Sequence, residues 1–179
     1  MSPSGQILLI AAVVLVYITI TEFRQHRIRN EVVLVLLGLY LAFAVINHDW
    51  IQLVVHVGFA ILVFVPMLYA YSLRMMAGGD LKLFTVATVW VGPICFLPFI
   101  ALFTLFIGVQ ILGGRLGIAA LRKAKQGGVP LGPSIAMALI ATFLTGCLDA
   151  STRASLFSVL GQWWFDFVYW LLPSAPHGG

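Results

Sequence analysis

Six apolar runs, separated by short polar segments or by glycine and proline, account for most of this chain. They cover residues 6–21, 32–46, 51–73, 81–91, 94–112 and 131–148. A helix of about 20 apolar residues is long enough to cross the hydrocarbon core of a bilayer. The pattern therefore predicts an all-α polytopic membrane protein with about six transmembrane helices.

The fourth run is short for a span, and it ends sharply at Gly92 and Pro93. Glycine and proline are typical of the ends of helices, because neither continues a helix well. We therefore expect run 81–91 to pair with run 94–112 as a tight helical hairpin.

The last part of the chain combines a spanning length with polar and aromatic residues. Segment 155–172 contains Gln162 and Asp166, and around them lie Trp163, Trp164, Phe165, Phe167, Tyr169 and Trp170. Aromatic rings with polar tips suit the headgroup region, so we favour an interfacial helix on the outer face, with a seventh span as the alternative. The chain is thus predicted to comprise a six-helix membrane domain over 1–150 and an aromatic-rich helix and tail over 151–179.

Composition narrows the class of protein further. Apolar residues make up 61% of the chain and charged residues 9%, with a mean hydropathy of +1.06. In soluble domains about 45–50% of residues are apolar and about 25% are charged. These values exclude a water-soluble globular protein and make the lipid bilayer its surroundings. The net charge of +4 does not come from a basic stripe with interleaved aromatic residues, so we expect no nucleic-acid partner and interpret the charge as a topology signal.

Nine of the ten basic residues fall on one side of the membrane if six helices alternate in direction. The nine are Arg24, Arg27, Arg29, Arg74, Lys82, Arg115, Arg122, Lys123 and Lys125. Cytoplasmic loops are enriched in lysine and arginine, so this side is predicted to be cytoplasmic, with both termini outside. The first run has its basic residues after it, the reverse of a cleaved signal peptide, and is interpreted as a retained helix.

The cysteine and histidine residues do not indicate a metal site. Cys95 and Cys147 lie in apolar runs without a pairing pattern, so they predict neither a disulfide framework nor a zinc site. His26 and His56 each lack a second ligand at metal-like spacing. We expect no metal and no cofactor.

Acidic residues are scarce, and the six are Glu22, Glu31, Asp49, Asp80, Asp149 and Asp166. An ionisable group in a bilayer is costly enough to indicate function, and Glu22 and Asp80 are both predicted on the cytoplasmic side at similar depth. Gly78 and Gly79 precede Asp80 and permit backbone conformations and close approaches that other residues do not. Two structural explanations stay open: Glu22 neutralises nearby arginines, or Asp80 caps the fourth helix by accepting backbone N–H bonds.

Three segments resemble motifs of the prepilin peptidases, which are aspartic proteases of the bacterial inner membrane. Residues 77–83, AGGDLKL, resemble the family's GxGDxKL motif. Residues 22–30 resemble its first motif, an acid followed by Ile-Pro-Asn, and residues 129–136, VPLGPSIA, resemble the stretch that opens its last helix. These matches extend over about residues 15–140, and the short chain is similar to the minimal peptidases of tight-adherence (Flp-type) pili.

The resemblance implies that Glu22 and Asp80 are the catalytic carboxylates. Four further residues would shape the site or contact substrate, namely Gly78, Gly79, Lys82 and Asn30. Lys82 is equally typical of a snorkelling lysine at a helix end. One carboxyl would take a proton from water while the other bonds the substrate carbonyl. The implied substrate is a prepilin-like protein, with a short basic leader and one apolar helix, cleaved at the cytoplasmic face.

Three residues depart from the family pattern. Glu22 replaces its first catalytic aspartate, Ala77 replaces the first glycine of GxGD, and Arg29 replaces the proline of Ile-Pro-Asn. Glutamate adds a methylene, and a misplacement of about 1 Å can cost on the order of 10²-fold in rate; alanine suits position 77 only if φ is negative there. The working pair is therefore Glu22 with Asp80, or there is none.

Two other functions stay open beside the peptidase. A catalytically impaired paralogue would bind prepilin or act as a membrane component of the pilus assembly machinery. A small transporter would need its acids near the middle of the membrane in broken helices, which fits the helix-end positions of Glu22 and Asp80 less well.

Overall fold

The computed structural model describes residues 3–25, 29–74, 76–115 and 131–147. In these ranges the chain is all-helical. Its five helices are α1 (Pro3–Gln25), α2 (Asn30–Ile46), α3 (Trp50–Ser72), α4 (Gly78–Arg115) and α5 (Leu131–Leu144). The expected all-α class is confirmed, and segments 116–130 and 148–179, with the predicted C-terminal aromatic helix, lie outside the described residues.

Three of the described helices are long and apolar enough to cross a membrane. Their apolar stretches are Gly5–Glu22, Trp50–Ser72 and Gly78–Gly113. The shorter α2 and α5 are apolar as well. These lengths and compositions support a membrane protein.

Helix α4 is sharply interrupted at Gly92, where φ is 63° and ψ is −176°. The Phe84 ring, before the interruption, lies 5.8 Å from the ring of Phe99 and 5.5 Å from that of Phe103. In a straight helix Phe84 and Phe103 would be roughly 28 Å apart, at about 1.5 Å per residue. The two arms, 78–91 and 93–115, therefore fold back on each other, as the sequence pattern predicted.

Glycine is needed at this reversal for two reasons. Its φ of 63° and ψ of −176° lie in a backbone region that is essentially restricted to glycine, and holding another residue there costs on the order of 1–3 kcal/mol. A Cβ at position 92 would also overlap the ring of His56, which α3 contributes to the same place. The reversal and the buried histidine are thus packed directly against each other.

The first arm of α4 is the central element of the bundle. Between residues 80 and 92 every residue is buried or half-buried except Lys82, and α4 as a whole packs mainly against α3 and α5. Trp90 lies in its core, with ring centroids 5.4 Å from Tyr40 and 5.2 Å from Phe143. Its indole N–H donates to the carbonyl of Leu36 at 3.1 Å, so the large ring is buried without leaving its polar atom unpaired.

The bundle has two distinct ends, defined by contacts between helix termini. Glu22 near the end of α1, Asn30 at the start of α2 and Asp80 at the start of α4 lie at one end, which we call the carboxylate end. The α2–α3 turn and the Gly92 reversal lie at the other. The 14 residues of the first arm separate the two ends by roughly 20 Å.

Cys95 and Cys147 form a disulfide at the end opposite the carboxylates. Their Cα atoms are 6.1 Å apart, and both side chains are buried. The prediction that the cysteines form no disulfide framework was therefore wrong. The reversal at Gly92 and the course of α5 bring together two residues 52 positions apart in sequence, a pairing that the local spacing does not indicate.

Candidate functional site: two buried carboxyls beside α5

Glu22 belongs to the buried face of α1. Four apolar residues on that helix are buried, Ile7, Ala11, Leu15 and Ile18, and Glu22 continues their spacing of three or four residues with 5% of its surface exposed. Positions three and four apart lie on one face of a helix. The carboxyl of Glu22 is therefore directed into the bundle.

Asp80 is the third residue of α4 and is 7% exposed. It is not the N-cap of the helix, because α4 begins at Gly78 and the Leu81 N–H donates to the Ala77 carbonyl at 3.1 Å. Its carboxyl faces back to the Ala77 N–H, as the acidic member of a capping box does. The cap interpretation thus holds in a modified form, and it leaves the carboxyl buried beside α1 and α5.

The two carboxyls meet at the first turn of α5. The Gly132 N–H donates to Glu22 Oε1 at 3.2 Å, and the same N–H faces the carboxyl of Asp80. The two acidic groups also interact electrostatically with each other. Residues from α1, α4 and α5 therefore form one compact polar centre at the carboxylate end.

This centre is suited to holding a shared proton. Two carboxyls close together in a weakly screened site cannot both ionise easily, so they titrate as a coupled pair. Glu22 Oε2 is buried without a hydrogen-bond partner in the described part of the chain. A carboxyl oxygen in that state can take a proton from water or share one with the neighbouring acid.

A family comparison decides the class of this protein. The model of the type IV leader peptidase family matches residues 9–118, which include both Glu22 and Asp80. The chain belongs to the type IV leader peptidase family. No curated protein and no solved structure matches it.

Lys82 and Asn30 contact each other, but on another face of α4. Lys82 Nζ donates to Asn30 Oδ1 at 3.0 Å, in an exposed position. Positions 80 and 82 are about 200° apart around a helix, so Lys82 is directed toward α2 and α3. There the two residues line a groove of about 370 Å³, whose other walls are Val33, Leu34, Phe64, Thr85 and Val86.

The glycines before Asp80 adopt ordinary helical backbone. Gly78 and Gly79 form the first turn of α4, and positive φ among the described glycines occurs at Gly92 and Gly146. The backbone freedom that glycine permits is therefore not used at Gly78 or Gly79, and their role in shaping the site stays a prediction. Ala77 also has no positive φ, so alanine fits here without backbone strain.

Arg29 keeps the backbone that a proline would have at this position. Its φ is −75° and its ψ is 131°, within the range to which a proline ring restricts φ. Its guanidinium pairs with the Glu31 carboxylate at 2.7 Å on the exposed start of α2. Arg29 therefore neutralises Glu31 rather than Glu22; the side chains of Arg24 and Arg27 lie outside the described residues.

Gly132 is the residue of this centre that was not among the sequence candidates. It lies in segment 129–136, which was matched to the family only as the opening of its last helix. The sequence did contain one signal for it: Gly132 lies between Pro130 and Pro133. Prolines stiffen the backbone, so a flexible turn does not account for a glycine at this position. Only its contact with Glu22 identifies what the glycine does.

The described residues contain no group of three or more histidine, cysteine, aspartate or glutamate side chains that could hold a metal ion. Within the described part of the chain, Glu22 and Asp80 form a pair without a third such ligand. The centre is therefore described by its two carboxyls and the backbone of α5.

Proposed function

We propose that this chain is an aspartic-type membrane endopeptidase that removes the short basic leader of prepilin-like substrates. The observation that carries the proposal is that the carboxyls of Glu22 and Asp80, from different helices, lie together in a buried centre beside the Gly132 N–H, which donates to Glu22 Oε1. Membership of the type IV leader peptidase family supports leader cleavage in general terms. The carboxyl pair supplies the chemistry that such a cleavage needs.

In the proposed reaction the pair carries one proton. The ionised member takes a proton from water, and the resulting hydroxide attacks the carbonyl carbon of the peptide bond at the end of the leader. The protonated member donates a hydrogen bond to the carbonyl oxygen, where negative charge develops. Collapse of the tetrahedral intermediate returns a proton to the leaving amine, which completes hydrolysis.

The proposed orientation places the carboxylate end at the cytoplasmic face of the inner membrane. The described basic positions Arg29, Arg74, Lys82 and Arg115 all lie at this end of the bundle, as cytoplasmic loops require. The Cys95–Cys147 disulfide lies at the opposite end, and disulfides persist on the oxidising side of a bacterial membrane. Both features support a leader approaching from the cytoplasm.

Co-expression with a membrane reporter tests the proposal. The reporter carries a short basic leader followed by one apolar helix, and cleavage is followed by mass spectrometry of its new N-terminus. We expect Glu22→Gln and Asp80→Asn each to lower cleavage by on the order of 10²–10⁴-fold, the usual contribution of a positioned acid or base. The matched control is Glu31→Gln, because Glu31 is exposed and pairs only with Arg29 among the described ion pairs. Unchanged cleavage in either carboxyl variant would exclude the proposal.

A second candidate is a non-catalytic membrane component that binds prepilin or the pilus assembly machinery. Glutamate at position 22, where the resemblance implies aspartate, favours it. This candidate predicts that the wild-type protein co-purifies with uncleaved reporter and that Glu22→Gln retains as much reporter as the wild type. Cleavage that depends on Glu22 would eliminate it.

A further inference from the structure

The carboxyl of Glu22 rests on both polar and apolar atoms of Gly132. Its Oε1 accepts the Gly132 N–H at 3.2 Å. Its Oε2 lies against the Cα, so closely that a Cβ built at position 132 would overlap it. Gly132 is itself buried. The glycine thus forms a seat for the whole carboxyl group.

Space, and not backbone conformation, requires glycine at this position. Gly132 lies inside α5 and is not among the described residues with positive φ. Alanine could therefore adopt the same backbone, and in a helix it would normally be favoured over glycine by roughly 0.5–1 kcal/mol. The three atoms nearest to a Cβ built at position 132 all belong to the Glu22 carboxyl, so the cost of a side chain there comes mainly from overlap with Glu22.

The N–H of Gly132 is one of few donors that this helix terminus can offer. The first N–H groups of an α-helix have no partner inside the helix, and they carry the positive end of the helix dipole. Pro133 follows and has no N–H. Leu131 and Gly132 are therefore the only donors among the first three residues of α5, and Gly132 directs its donor at the carboxyl pair.

We infer that Gly132 is a positioning residue whose N–H and bare Cα seat the Glu22 carboxyl beside Asp80, in a seat matched to the length of glutamate. An aspartate at position 22 would be shorter by one methylene and would withdraw from the N–H. The inference rests on the proposed function, since it assigns a role within the same carboxyl pair. It also makes glutamate at position 22 a working member of the centre.

The seat predicts how three variants compare in reporter cleavage by the full-length protein. Gly132→Ala displaces the Glu22 carboxyl, and we expect the cleavage rate to fall on the order of 10²-fold, as for a misplacement of about 1 Å. Adding Glu22→Asp to Gly132→Ala should restore the rate at least about tenfold, because the shorter acid clears the new methyl group. The control is Gly108→Ala, whose Cβ would meet nothing within 4 Å, and it should cleave like the wild type.

A second measurement reports on the seat without any substrate. Difference infrared spectra of the purified protein, assigned with Glu22→Gln, give the carboxyl band of Glu22. We expect this band to shift in Gly132→Ala and to stay in place in Gly108→Ala. If Gly132→Ala proves poorly folded, its loss of thermal stability should be relieved by Glu22→Ala, because that change removes the overlapping group; additive losses would overturn the inference.

These outcomes separate the two proposals. Full cleavage by Glu22→Gln rejects the proposed function, whether or not the infrared carboxyl band of Glu22 shifts in Gly132→Ala. Loss of cleavage in Glu22→Gln together with normal cleavage and an unshifted band in Gly132→Ala rejects only the seat. Absence of any gain in the Gly132→Ala, Glu22→Asp double variant over Gly132→Ala also rejects it, because a merely structural glycine would not be rescued by shortening Glu22.

Discussion

His56 donates its Nδ1–H to the carbonyl oxygen of Val89 at 2.9 Å, from α3 to the end of the first arm of α4. A carbonyl oxygen only accepts hydrogen bonds, so the proton is on Nδ1. In a continuous helix this carbonyl would bond the N–H of residue 93, but residue 93 is a proline and has none. The histidine therefore satisfies a backbone group that the reversal of α4 leaves open, in a bundle where unpaired carbonyls are costly.

Replacing His56 with phenylalanine should destabilise the protein. The ring volume is largely kept, while the Val89 carbonyl loses its donor, at a cost of about 1–3 kcal/mol. Thermal unfolding in detergent measures the change. His48→Asn is the control, because His48 is exposed and its φ of 54° is well tolerated by asparagine. Equal melting temperatures for the wild type and His56→Phe would contradict this role of the histidine.

The disulfide gives a test of orientation. We expect Cys95 and Cys147 to resist alkylation until the protein is reduced, because they are paired and buried. Expression in a host without periplasmic disulfide oxidation should yield the free thiols, detected as a mass shift after alkylation. Unchanged pairing in that host would argue against placing this end of the bundle outside.

Breaking the disulfide by Cys95→Ser should lower stability by about 2–4 kcal/mol, the usual contribution of such a link. Leader cleavage should persist at temperatures well below the new melting transition, since the carboxyl pair lies at the other end of the bundle. Cleavage lost under conditions in which the variant is fully folded would show that the disulfide does more than link α4 to the turn after α5.

Lys82→Gln should change leader cleavage by less than about fivefold. Lys82 Nζ is exposed and bonds Asn30, and exposed charged contacts contribute at most about 1 kcal/mol in typical cases. Initial rates on the reporter, measured beside Asp80→Asn, check this difference between positions only two residues apart. A loss in Lys82→Gln as large as that in Asp80→Asn would show that Lys82 acts directly on the carboxyl pair.

Arg29→Pro should leave the protein folded and stable to within about 1 kcal/mol of the wild type. The φ of −75° already suits a proline ring, and restricting the unfolded chain usually adds stability at such positions. Arg29→Ala separates the loss of the ion pair with Glu31 from the effect of the ring. Thermal unfolding of both variants gives the comparison, and a large loss in Arg29→Pro alone would indicate that the N–H of Arg29 is needed.

Local sequence was sufficient to predict the helices and to identify the two candidate acids at the carboxylate end. Apolar runs and helix breakers predicted the helices and the reversal at Gly92, because these depend on neighbouring residues. Because acidic residues are scarce, Glu22 and Asp80 were identifiable as candidates from their positions at helix ends on the same predicted side of the membrane. The backbone at Gly78 and Gly79 could not be predicted from sequence, since glycine permits unusual backbone without requiring it.

Contacts between distant segments were not predictable in the same way. In α1 nearly every position is apolar, so the sequence has no polar face that would show which side is buried, and only packing against α5 directs Glu22 inward. The disulfide was not predictable either, because its cysteines are 52 residues apart and only the packing of the helices brings them together.

The sequence by itself determined that this protein is a helical membrane protein with two acids at one end, because hydrophobicity, helix breaking and charge act locally. Tertiary structure alone decided that Gly132 seats Glu22, that His56 completes the α4 reversal, and that Lys82 meets Asn30 of α2. Each of these depends on which faces of apolar helices meet, and in a chain that is apolar on all sides that choice is made by packing.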